Sequence, residues 1–394
     1  MRKIQMYLLP ITFFCIIFGG FVVHVLTVDR PQSEMENRTL ESANLSPSPQ
    51  EILSGAWSKQ VETYISDQFP ARDTWMRNYV YYQRAMGKTY LNDKYAVDDK
   101  SGWIISKPAE EKPDEELAYF ATDLQKLSEG LAEKNIPFTY YSLPAKATYS
   151  REPSPSYMPE DAGVANNLRL HEFVTAKGVD NVRLYDEMKN NDFSAERNFF
   201  KTDHHWTIRG AYSGYQALMK TMSERLGETI EPIPYNEANT YCLPNKFAGS
   251  WNKILYMTVN NRDQVCYNEP ASFATQFTIH VGSIEDGVTA PYDAVYGRAK
   301  KMSPETVVNY AEAYSRDFSE LTIVNNHYDS DKHIVVIKDS YFNTIQFHVA
   351  SHFKELTILD LRYLDKDAIS YLQSLHPDYV VLAYNDRNLR LMPE

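Results

Sequence analysis

The sequence predicts a three-layer α/β domain with a mostly parallel sheet, preceded by a membrane-spanning helix. Strand-like and helix-like segments alternate through much of the 394-residue chain, which is typical of βαβ units. Residues 334–337 form a continuous apolar run, as a strand buried on both faces requires. A long apolar segment near the N-terminus matches the thickness of a lipid bilayer.

The N-terminal segment begins with Arg2 and Lys3 and is then largely apolar to residue 28. About 20 helical residues cross the hydrocarbon layer. The positive charge before the segment predicts a cytoplasmic N-terminus and an extracellular remainder. No small-x-small cleavage site follows, which favours an uncleaved anchor over a removed signal peptide. We therefore expect residues 1–28 to form a cytoplasmic tip and a single-pass anchor in the cell membrane.

Beyond the anchor, composition divides the chain into two further regions. Residues 29–56 are polar and rich in Pro, Ser and Asn, which predicts an extracytoplasmic stalk. Residues 57–394 predict the α/β domain, which begins with a helical pattern over 57–86. From about 229 to 325 the alternation is lost, and we expect an insertion of loops and a few strands there.

Apolar periodicity places the elements of the domain in order. Helices are predicted at 117–131, 168–174, 208–226, 341–353 and 365–375, and strands at 138–142, 182–185, 334–337, 356–359 and 379–383. Gly227 is a plausible end for the helix that begins near 208.

Composition narrows the partners and the compartment. The net charge of −12 and the lack of a basic run argue against a nucleic-acid partner. The 29 tyrosines suit stacking on sugar rings, although most tyrosines simply pack in cores. Cys15 lies in the anchor, so Cys242 and Cys266 are the pair in the exported part. They are either a disulfide in an oxidising compartment or two buried thiols.

Residues 203–206 place an acid, two histidines and a tryptophan next to one another, where a predicted loop leads into a helix. Asp203, His204, His205 and Trp206 follow one another there, and loops on rigid scaffolds often carry functional residues. Alternatively, Asp203 only caps the helix and the histidines are surface residues.

A serine after the buried strand completes a possible catalytic set. Ser340 follows residues 334–337 and Asp339, and ligands bind beyond the carboxyl ends of strands in open α/β sheets. The N-terminus of the next predicted helix would offer N–H groups to an oxyanion. His205 would be the base and Asp203 its orienting carboxylate. In the alternative interpretation, Ser340 is only a helix cap.

Several short motifs recur in a specific order. They lie at 36–40 (ENRTL), 67–73 (DQFPARD), 101–104 (SGWI), 143–146 (LPAK) with Tyr149, 202–207 (TDHHWT), 338–341 (KDSY), 358–363 (ILDLRY) and 376–380 (HPDYV). With these motifs the chain resembles the DHHW family of bacterial proteins, relatives of the alginate O-acetyltransferases of the SGNH-hydrolase-like superfamily, whose fold is flavodoxin-like.

The resemblance places the nucleophile on Ser340, the base on His205 and the orienting carboxylate on Asp203, with His204 as the alternative base. Lys338 stands where the family has glycine. This change would narrow the approach to the oxyanion site or add positive charge beside it.

The resemblance also implies a reaction. Such proteins lie outside the cytoplasmic membrane beside a multi-pass membrane acyltransferase, which supplies the acyl group. They set acetyl groups on a cell-envelope or exported polysaccharide, and no cofactor is implied. An aromatic groove for the sugar would use Tyr149, Trp206, Trp251 and Tyr341, and Lys146 would point into the cleft.

Three other functions compete with this one. An esterase would use the same three residues with water as acceptor, and an export scaffold would bind glycan without catalysis. A metal site would combine Asp203, His204 and His205 with His348 or His352. We expect no metal, because adjacent histidines point apart on a helix and no metal-like Cys/His spacing recurs.

Overall fold

The computed structural model describes residues 2–44, 46–150, 160–189, 193–260, 263–328 and 331–391. Contacts divide the chain into two compact units. The first comprises Met1–Asn92 and Asn252–Thr258, and the second comprises Asp93–Trp251 and Val259–Glu394. The predicted limits of anchor, stalk and α/β domain at residues 28 and 56 stay a prediction.

The first unit is mostly helical. Its elements are α1 (Arg2–Leu26), a short hairpin of β1 (Gln32–Ser33) and β2 (Arg38–Thr39), α2 (Pro49–Leu53), α3 (Ala56–Asp67) and α4 (Arg72–Ala85). Within α1, Tyr7–Leu26 is the one helix of the described residues that is long and apolar enough to span a membrane. Its length and composition fit a single-pass anchor.

The helical pattern over 57–86 is two helices rather than one. Pro70 lies between α3 and α4, and a proline cannot donate the backbone hydrogen bond that a continuous helix needs. Ala71 then adopts a left-handed conformation, with φ 55°. The predicted polar stalk also contains ordered elements. In the 29–56 region, Ser48 and Glu51 form a capping box at the start of α2.

The second unit contains the α/β sheet. Eight strands of the described residues form one sheet in the order β10-β9-β11-β13-β12-β14-β5-β6. The bounds are β5 (Phe138–Leu143), β6 (Asn181–Arg183), β9 (Phe277–Val281), β10 (Val288–Ala290), β11 (Glu320–Asn325), β12 (His333–Lys338), β13 (Glu355–Leu359) and β14 (Tyr379–Asn385). From β13 to β6 neighbouring strands are parallel, while β11, β9 and β10 add antiparallel pairs at one side. The α/β fold is confirmed, with an antiparallel extension contributed by residues 277–325.

Strand β12 is buried on both faces, as its apolar run predicts. Ile334 and Val336 belong to one hydrophobic core, and Val335 and Ile337 belong to a second. Successive strand residues point to opposite faces of a sheet, so one core lies on each side. Helix α10 (Ile208–Leu226) packs in the first core, and α5 (Asp114–Ala132), α7 (Gly163–Ala176) and α16 (Ala368–Ser374) pack in the second. These are the three predicted layers.

Shorter elements complete the chain. They are β3 (Tyr95–Asp98), β4 (Trp103–Ser106), α6 (Lys146–Tyr149), α8 (Leu184–Met188), α9 (Ala195–Asn198), β7 (Thr240–Cys242), α11 (Ser250–Ile254), β8 (Cys266–Asn268), α12 (Phe273–Gln276), α13 (Tyr292–Val295), α14 (Tyr310–Ala313) and α15 (Gln346–Ala350). Three 3₁₀ turns among the described residues lie at Glu237–Asn239, Arg298–Lys301 and Phe342–Thr344.

Candidate active site

The serine turn follows a strand of the sheet whose last five residues are buried. Strand β12 ends at Lys338, and Asp339 and Ser340 come next. The Asp339 carboxylate accepts hydrogen bonds from the backbone N–H of Tyr341, at 3.0 Å, and of Asn385 at the end of β14, at 2.8 Å. Burial raises the pKa of Asp339. The turn is thus tied to the neighbouring parallel strand, while Ser340 itself stays partly exposed.

The predicted helix after Ser340 is not formed as one element. A 3₁₀ turn at Phe342–Thr344 leads into the five-residue α15. The backbone N–H groups of Phe342 and Asn343 donate to the carbonyls of Asp339 and Ser340, and that of Tyr341 donates to Asp339. The expectation that this helix N-terminus serves an oxyanion is therefore wrong. Among the described residues we find no acceptor for the N–H of Ser340 itself.

The histidine loop, residues 202–206, is held by polar side chains from other segments. The Asp263 carboxylate accepts from the backbone N–H of Lys201, at 2.8 Å, and of Thr202, at 2.7 Å. The Lys146 ammonium donates to the carbonyl oxygens of Lys201, at 2.7 Å, and of Asp203, at 3.0 Å. Besides one isolated β-bridge between Phe199 and Trp206, long-range polar contacts fix the loop, which lies outside the main sheet.

Gly249 packs closely against the backbone of the same loop. A Cβ at this position would lie 2.4 Å from the carbonyl oxygen of Thr202, so only glycine allows this contact. The approach brings the next residue, Ser250, against Asp203.

Asp203, His205 and Ser340 form one hydrogen-bonded chain. His205 Nε2 lies 2.8 Å from Ser340 Oγ, and His205 Nδ1 lies 2.6 Å from Asp203 Oδ1. The other Asp203 oxygen accepts from the backbone N–H of Ser250, at 2.6 Å. Burial alone would raise the pKa of Asp203, but the neighbouring imidazoles and this N–H hold that pKa well below its usual range. The arrangement suits a base that removes a proton from the serine hydroxyl.

Tyr310 holds the imidazole from its face. The two rings are parallel within 3°, with centroids 3.5 Å apart, and the Tyr310 hydroxyl bonds to Thr344. This stack fixes the plane in which His205 presents Nε2 to Ser340.

His204 takes a different partner. Its Nδ1 lies 2.6 Å from Ser250 Oγ and 3.7 Å from Asp203 Oδ1. Burial and the adjacent His205 lower the pKa of His204, although 39% of its side chain stays exposed. Of the two histidines, the structure pairs His205 with Ser340.

The spacing of Asp203, His204 and His205 would admit a metal ion, since their ligand atoms lie within 4.8 Å of one another. The argument that adjacent histidines diverge does not apply here, because the loop is not helical and the two ring centroids lie 3.7 Å apart. Nevertheless, Nδ1 of each ring is already hydrogen-bonded. The two distant histidines have partners of their own, His348 Nε2 on the Asn268 carbonyl and His352 Nε2 on the Tyr215 hydroxyl.

The proposed sugar groove is largely wrong. Trp206, Tyr341 and Trp251 are buried and cannot present a face to a sugar. The indole of Trp206 donates to the Tyr341 carbonyl, at 3.0 Å, and Trp251 packs on Tyr95. Tyr149 alone is partly exposed, and its ring stacks on Tyr185. Its role in binding sugar stays a prediction.

Lys146 lies inside the protein rather than in a cleft. Its side chain is fully buried, and the ammonium lies 4.2 Å from the Trp251 ring centre and 4.9 Å from that of Trp103. Burial lowers the pKa of Lys146 to about 7. Its contacts support the histidine loop instead of a substrate.

Lys338 neither narrows the oxyanion site nor adds a free charge to it. Its buried ammonium pairs with Asp317 Oδ1 at 2.6 Å and Asp360 Oδ2 at 3.3 Å. Arg362 pairs with the same two carboxylates. The positive charge is therefore neutralised within a local ion-pair network.

The residues missed in the sequence are Ser250, Asp263 and Tyr310. All three lie in 229–325, where neither periodicity nor a motif marks a residue as functional. No local signal connects them to a loop about fifty or more positions earlier in the chain.

Cys242 and Cys266 are disulfide-bonded. They are paired opposite each other on the antiparallel strands β7 and β8. The bond closes the segment that contains Gly249 and Ser250.

Comparison with known proteins places the chain in a family. A sequence-family model described as the SGNH hydrolase-like domain of acetyltransferase AlgX matches residues 100–267. The structure of Bacillus cereus PatB1 is 30% identical, with a TM-score of 0.63 over 75% of this chain and 96% of that one. PatB1 with a sulfonyl adduct is 26% identical, with a TM-score of 0.62 over 75% and 97%.

A DHHW family protein from Eubacterium siraeum shares the fold at 17% identity, with a TM-score of 0.53 over 73% of this chain and 88% of its own. No curated protein matches the chain. The identity to PatB1 extends over nearly all of that protein, and the Asp-His-His-Trp motif lies at the centre of the site. The chain therefore belongs to the same family as Bacillus cereus PatB1, and its residues 100–267 match the SGNH hydrolase-like domain of acetyltransferase AlgX.

Proposed function

We propose that this protein is a membrane-anchored, extracytoplasmic O-acetyltransferase that acylates a cell-envelope or exported polysaccharide through an acyl-serine intermediate. The observation that carries the proposal is the continuous hydrogen-bonded chain from Asp203 through His205 to the partly exposed Ser340. The family supports acyl transfer, and one structure of the related PatB1 contains a sulfonyl adduct.

In the first half-reaction, Ser340 Oγ attacks the carbonyl carbon of the acyl donor while His205 Nε2 takes the hydroxyl proton. The carbonyl oxygen becomes an oxyanion, for which the N–H of Ser340 is a donor without another partner among the described residues. Collapse breaks the bond to the donor's leaving group, which receives the proton from His205. The acyl group remains on Ser340 Oγ.

The second half-reaction reverses these roles. His205, now neutral, takes the proton from a sugar hydroxyl, whose oxygen attacks the acyl carbon of Ser340. Collapse breaks the bond to Oγ, and His205 returns its proton to the serine. The ionised Asp203 stabilises the imidazolium in both steps, since its lowered pKa keeps it charged.

The partners follow from this reaction. The acceptor is a polysaccharide hydroxyl, and a multi-pass membrane acyltransferase is the proposed donor of the acyl group. The helix Tyr7–Leu26 would hold the protein at the membrane with its N-terminus in the cytoplasm, as the charges of Arg2 and Lys3 indicate.

The test is to trap the intermediate on the full-length protein. A sulfonyl fluoride or an activated acetyl ester should modify Ser340 with a stoichiometry near one, as intact-mass and peptide-mapping spectrometry would show. Ser340→Ala should abolish the adduct. Modification that maps elsewhere, or that persists in this variant, would refute the proposal.

The fate of the acyl group distinguishes transfer from hydrolysis. With an acetyl ester and an oligosaccharide present, an acetylated oligosaccharide supports transfer, whereas acetate alone indicates an esterase. If Ser340→Ala left polysaccharide acetylation unchanged in cells, the protein would be a non-catalytic scaffold.

A further inference from the structure

Helix α4 carries an exposed apolar stripe. Trp75, Tyr79, Tyr82 and Met86 follow one another at a spacing of four, three and four residues, and each is 50–67% exposed. Such spacing places them on one side of the helix. On the opposite side Val80 is buried. A contiguous apolar surface of this kind on a folded protein usually marks a contact with a partner or a lipid.

The stripe begins at an open apolar groove within the same unit. The groove has a volume of about 870 Å³, and its walls come from α1 on one side and from α3 and α4 on the other. The wall residues include Ile16, Ile17 and Phe21 of α1, Trp57 and Ile65 of α3, and Trp75 of α4.

Several contacts hold the end of α1 and the residues that follow it against α3. The Tyr64 ring packs on the edge of the His24 ring, with centroids 5.6 Å apart, and its hydroxyl donates to Asp29, at 3.1 Å. The Gln68 side chain accepts from the backbone N–H of Arg30 and donates to its carbonyl oxygen, both at 2.9 Å. The position of α3 beside α1 is thus set by one ring contact and by hydrogen bonds to the two residues Asp29 and Arg30 that follow the helix.

The depth of the groove follows from helix geometry. Ile16 lies ten residues before Leu26, the end of α1, which corresponds to about 15 Å at 1.5 Å per residue. The hydrocarbon layer is about 30 Å thick, so Ile16 lies near its centre when Tyr7–Leu26 spans it. Trp and Tyr are the side chains enriched where hydrocarbon meets water.

We propose that α4 and the groove-lining face of α3 are seated in the outer leaflet of the membrane, with phospholipid filling the groove and covering the stripe of α4, while the polar face of α3 faces water. The inference rests on the membrane anchor of the proposed function. Lipid is the occupant that the structure favours, because no residue of the span Tyr7–Leu26 is fully buried and the groove is open to whatever surrounds that helix.

The experiment measures nitroxide accessibility in the full-length chain, reconstituted in phosphatidylcholine–phosphatidylglycerol vesicles. The native Cys15 on α1 provides one label, and Tyr82→Cys in a Cys15→Ser background provides the second. Lys59→Cys in the same background is the matched control, since Lys59 is exposed on the polar face of α3. Non-reducing conditions keep the disulfide out of the labelling.

We expect collisions with oxygen, relative to a water-soluble nickel chelate, to be several-fold more frequent at position 82 than at position 59. Position 15 should lie deeper in the bilayer and show a still higher ratio of oxygen to nickel-chelate collisions. Equal access of the nickel chelate at 82 and 59, with position 15 in lipid, would overturn the membrane seat and leave the anchor intact. An aqueous position 15 would overturn both. Protection of position 82 from oxygen and nickel alike, with or without spin–spin broadening, would show a protein partner or a second copy and also overturn the lipid assignment.

Discussion

The serine turn and the histidine loop meet in one site but are held in place by different means. The turn continues the buried strand β12, and Asp339 ties it to β14 through the backbone of Asn385. The loop has no such ladder and depends on Asp263, Lys146 and Ser250, which come from three other segments. A sheet fixes the proposed nucleophile, whereas one isolated β-bridge and polar contacts fix the proposed base, so we expect the base to be the more easily displaced of the two.

The largest expected effect removes the charge that orients the base. Asp203→Asn should lower acyl transfer by about 10³–10⁴-fold, because the imidazolium loses its counter-charge and His205 loses its preferred tautomer. Initial rates with an acetyl ester and oligosaccharide measure this effect. His204→Gln is the matched control and should cost less than about tenfold, since His204 bonds to Ser250. A larger loss in the control would assign the base to His204.

The next largest effect is expected from a substitution that weakens the contacts of the histidine loop but leaves Asp203, His205 and Ser340 unchanged. Asp263→Ala removes the acceptor of the N–H groups of Lys201 and Thr202. It should reduce the free energy of unfolding by about 1–3 kcal/mol for each buried group left unpaired and lower the transfer rate by more than tenfold. Urea unfolding and steady-state rates measure the two changes.

The matched variant on the serine turn should be milder. Asn385→Ala removes the side-chain bond to Asp339, at 2.5 Å, and the acceptor of the backbone N–H of Arg387, at 3.0 Å, and it retains the backbone bond and the whole sheet ladder. We expect a loss of about 0.5–1.5 kcal/mol for each of these two bonds and a transfer rate within severalfold of the wild type. If this variant were as damaging as Asp263→Ala, the two segments would not differ in how they are held.

Lys146, which supports the histidine loop, should make the stability of the protein depend on pH. Burial lowers the pKa of Lys146 to about 7, so the folded state holds this proton less tightly than the unfolded state does. The free energy of unfolding should therefore rise as the pH increases from about 7 towards the unfolded pKa near 10.5, by the order of 1–4 kcal/mol. Lys146→Met should remove this rise. An unchanged slope in urea titrations across this range would contradict the expectation.

Asp386, at the end of the strand beside the serine turn, should make the free energy of unfolding fall as the pH rises, at a lower pH than the rise caused by Lys146. Asp386 follows β14, and burial raises its pKa to about 7. Its contribution to stability is present below pH 4 and is lost as the pH rises through 7, by the order of a few kcal/mol at most. Asp386→Asn keeps an acceptor for Ala145 and Thr148 and should flatten this branch. Chemical denaturation from pH 4 to 7 tests it, with Lys146→Met as the variant that should leave this range unchanged.

The difference between an element held by the sheet and a loop held by polar contacts also explains how much the sequence could predict. Strand β12 and helix α10 were predictable because apolar periodicity reports burial, and α10 ends before Gly227 as expected. Asp203, His205 and Ser340 were predictable because acid, imidazole and hydroxyl stand next to those elements. Ser250 and Asp263 were not, since a loop held by long-range polar contacts leaves no periodic trace. The burial of Lys146 and Trp206 was missed because amphipathic side chains look alike in sequence whether they face solvent or the core.

The Cys242–Cys266 bond closes a loop with a separation of 24 residues, and the residue that steadies Asp203 lies within it. A disulfide that closes a loop of this length lowers the entropy of the unfolded chain and so stabilises the folded state by about 3 kcal/mol. A thiol reductant should therefore make unfolding of the segment that carries Ser250 easier, although its backbone hydrogen bonds remain. Such a dependence would make turnover more robust in oxidising surroundings than in reducing ones.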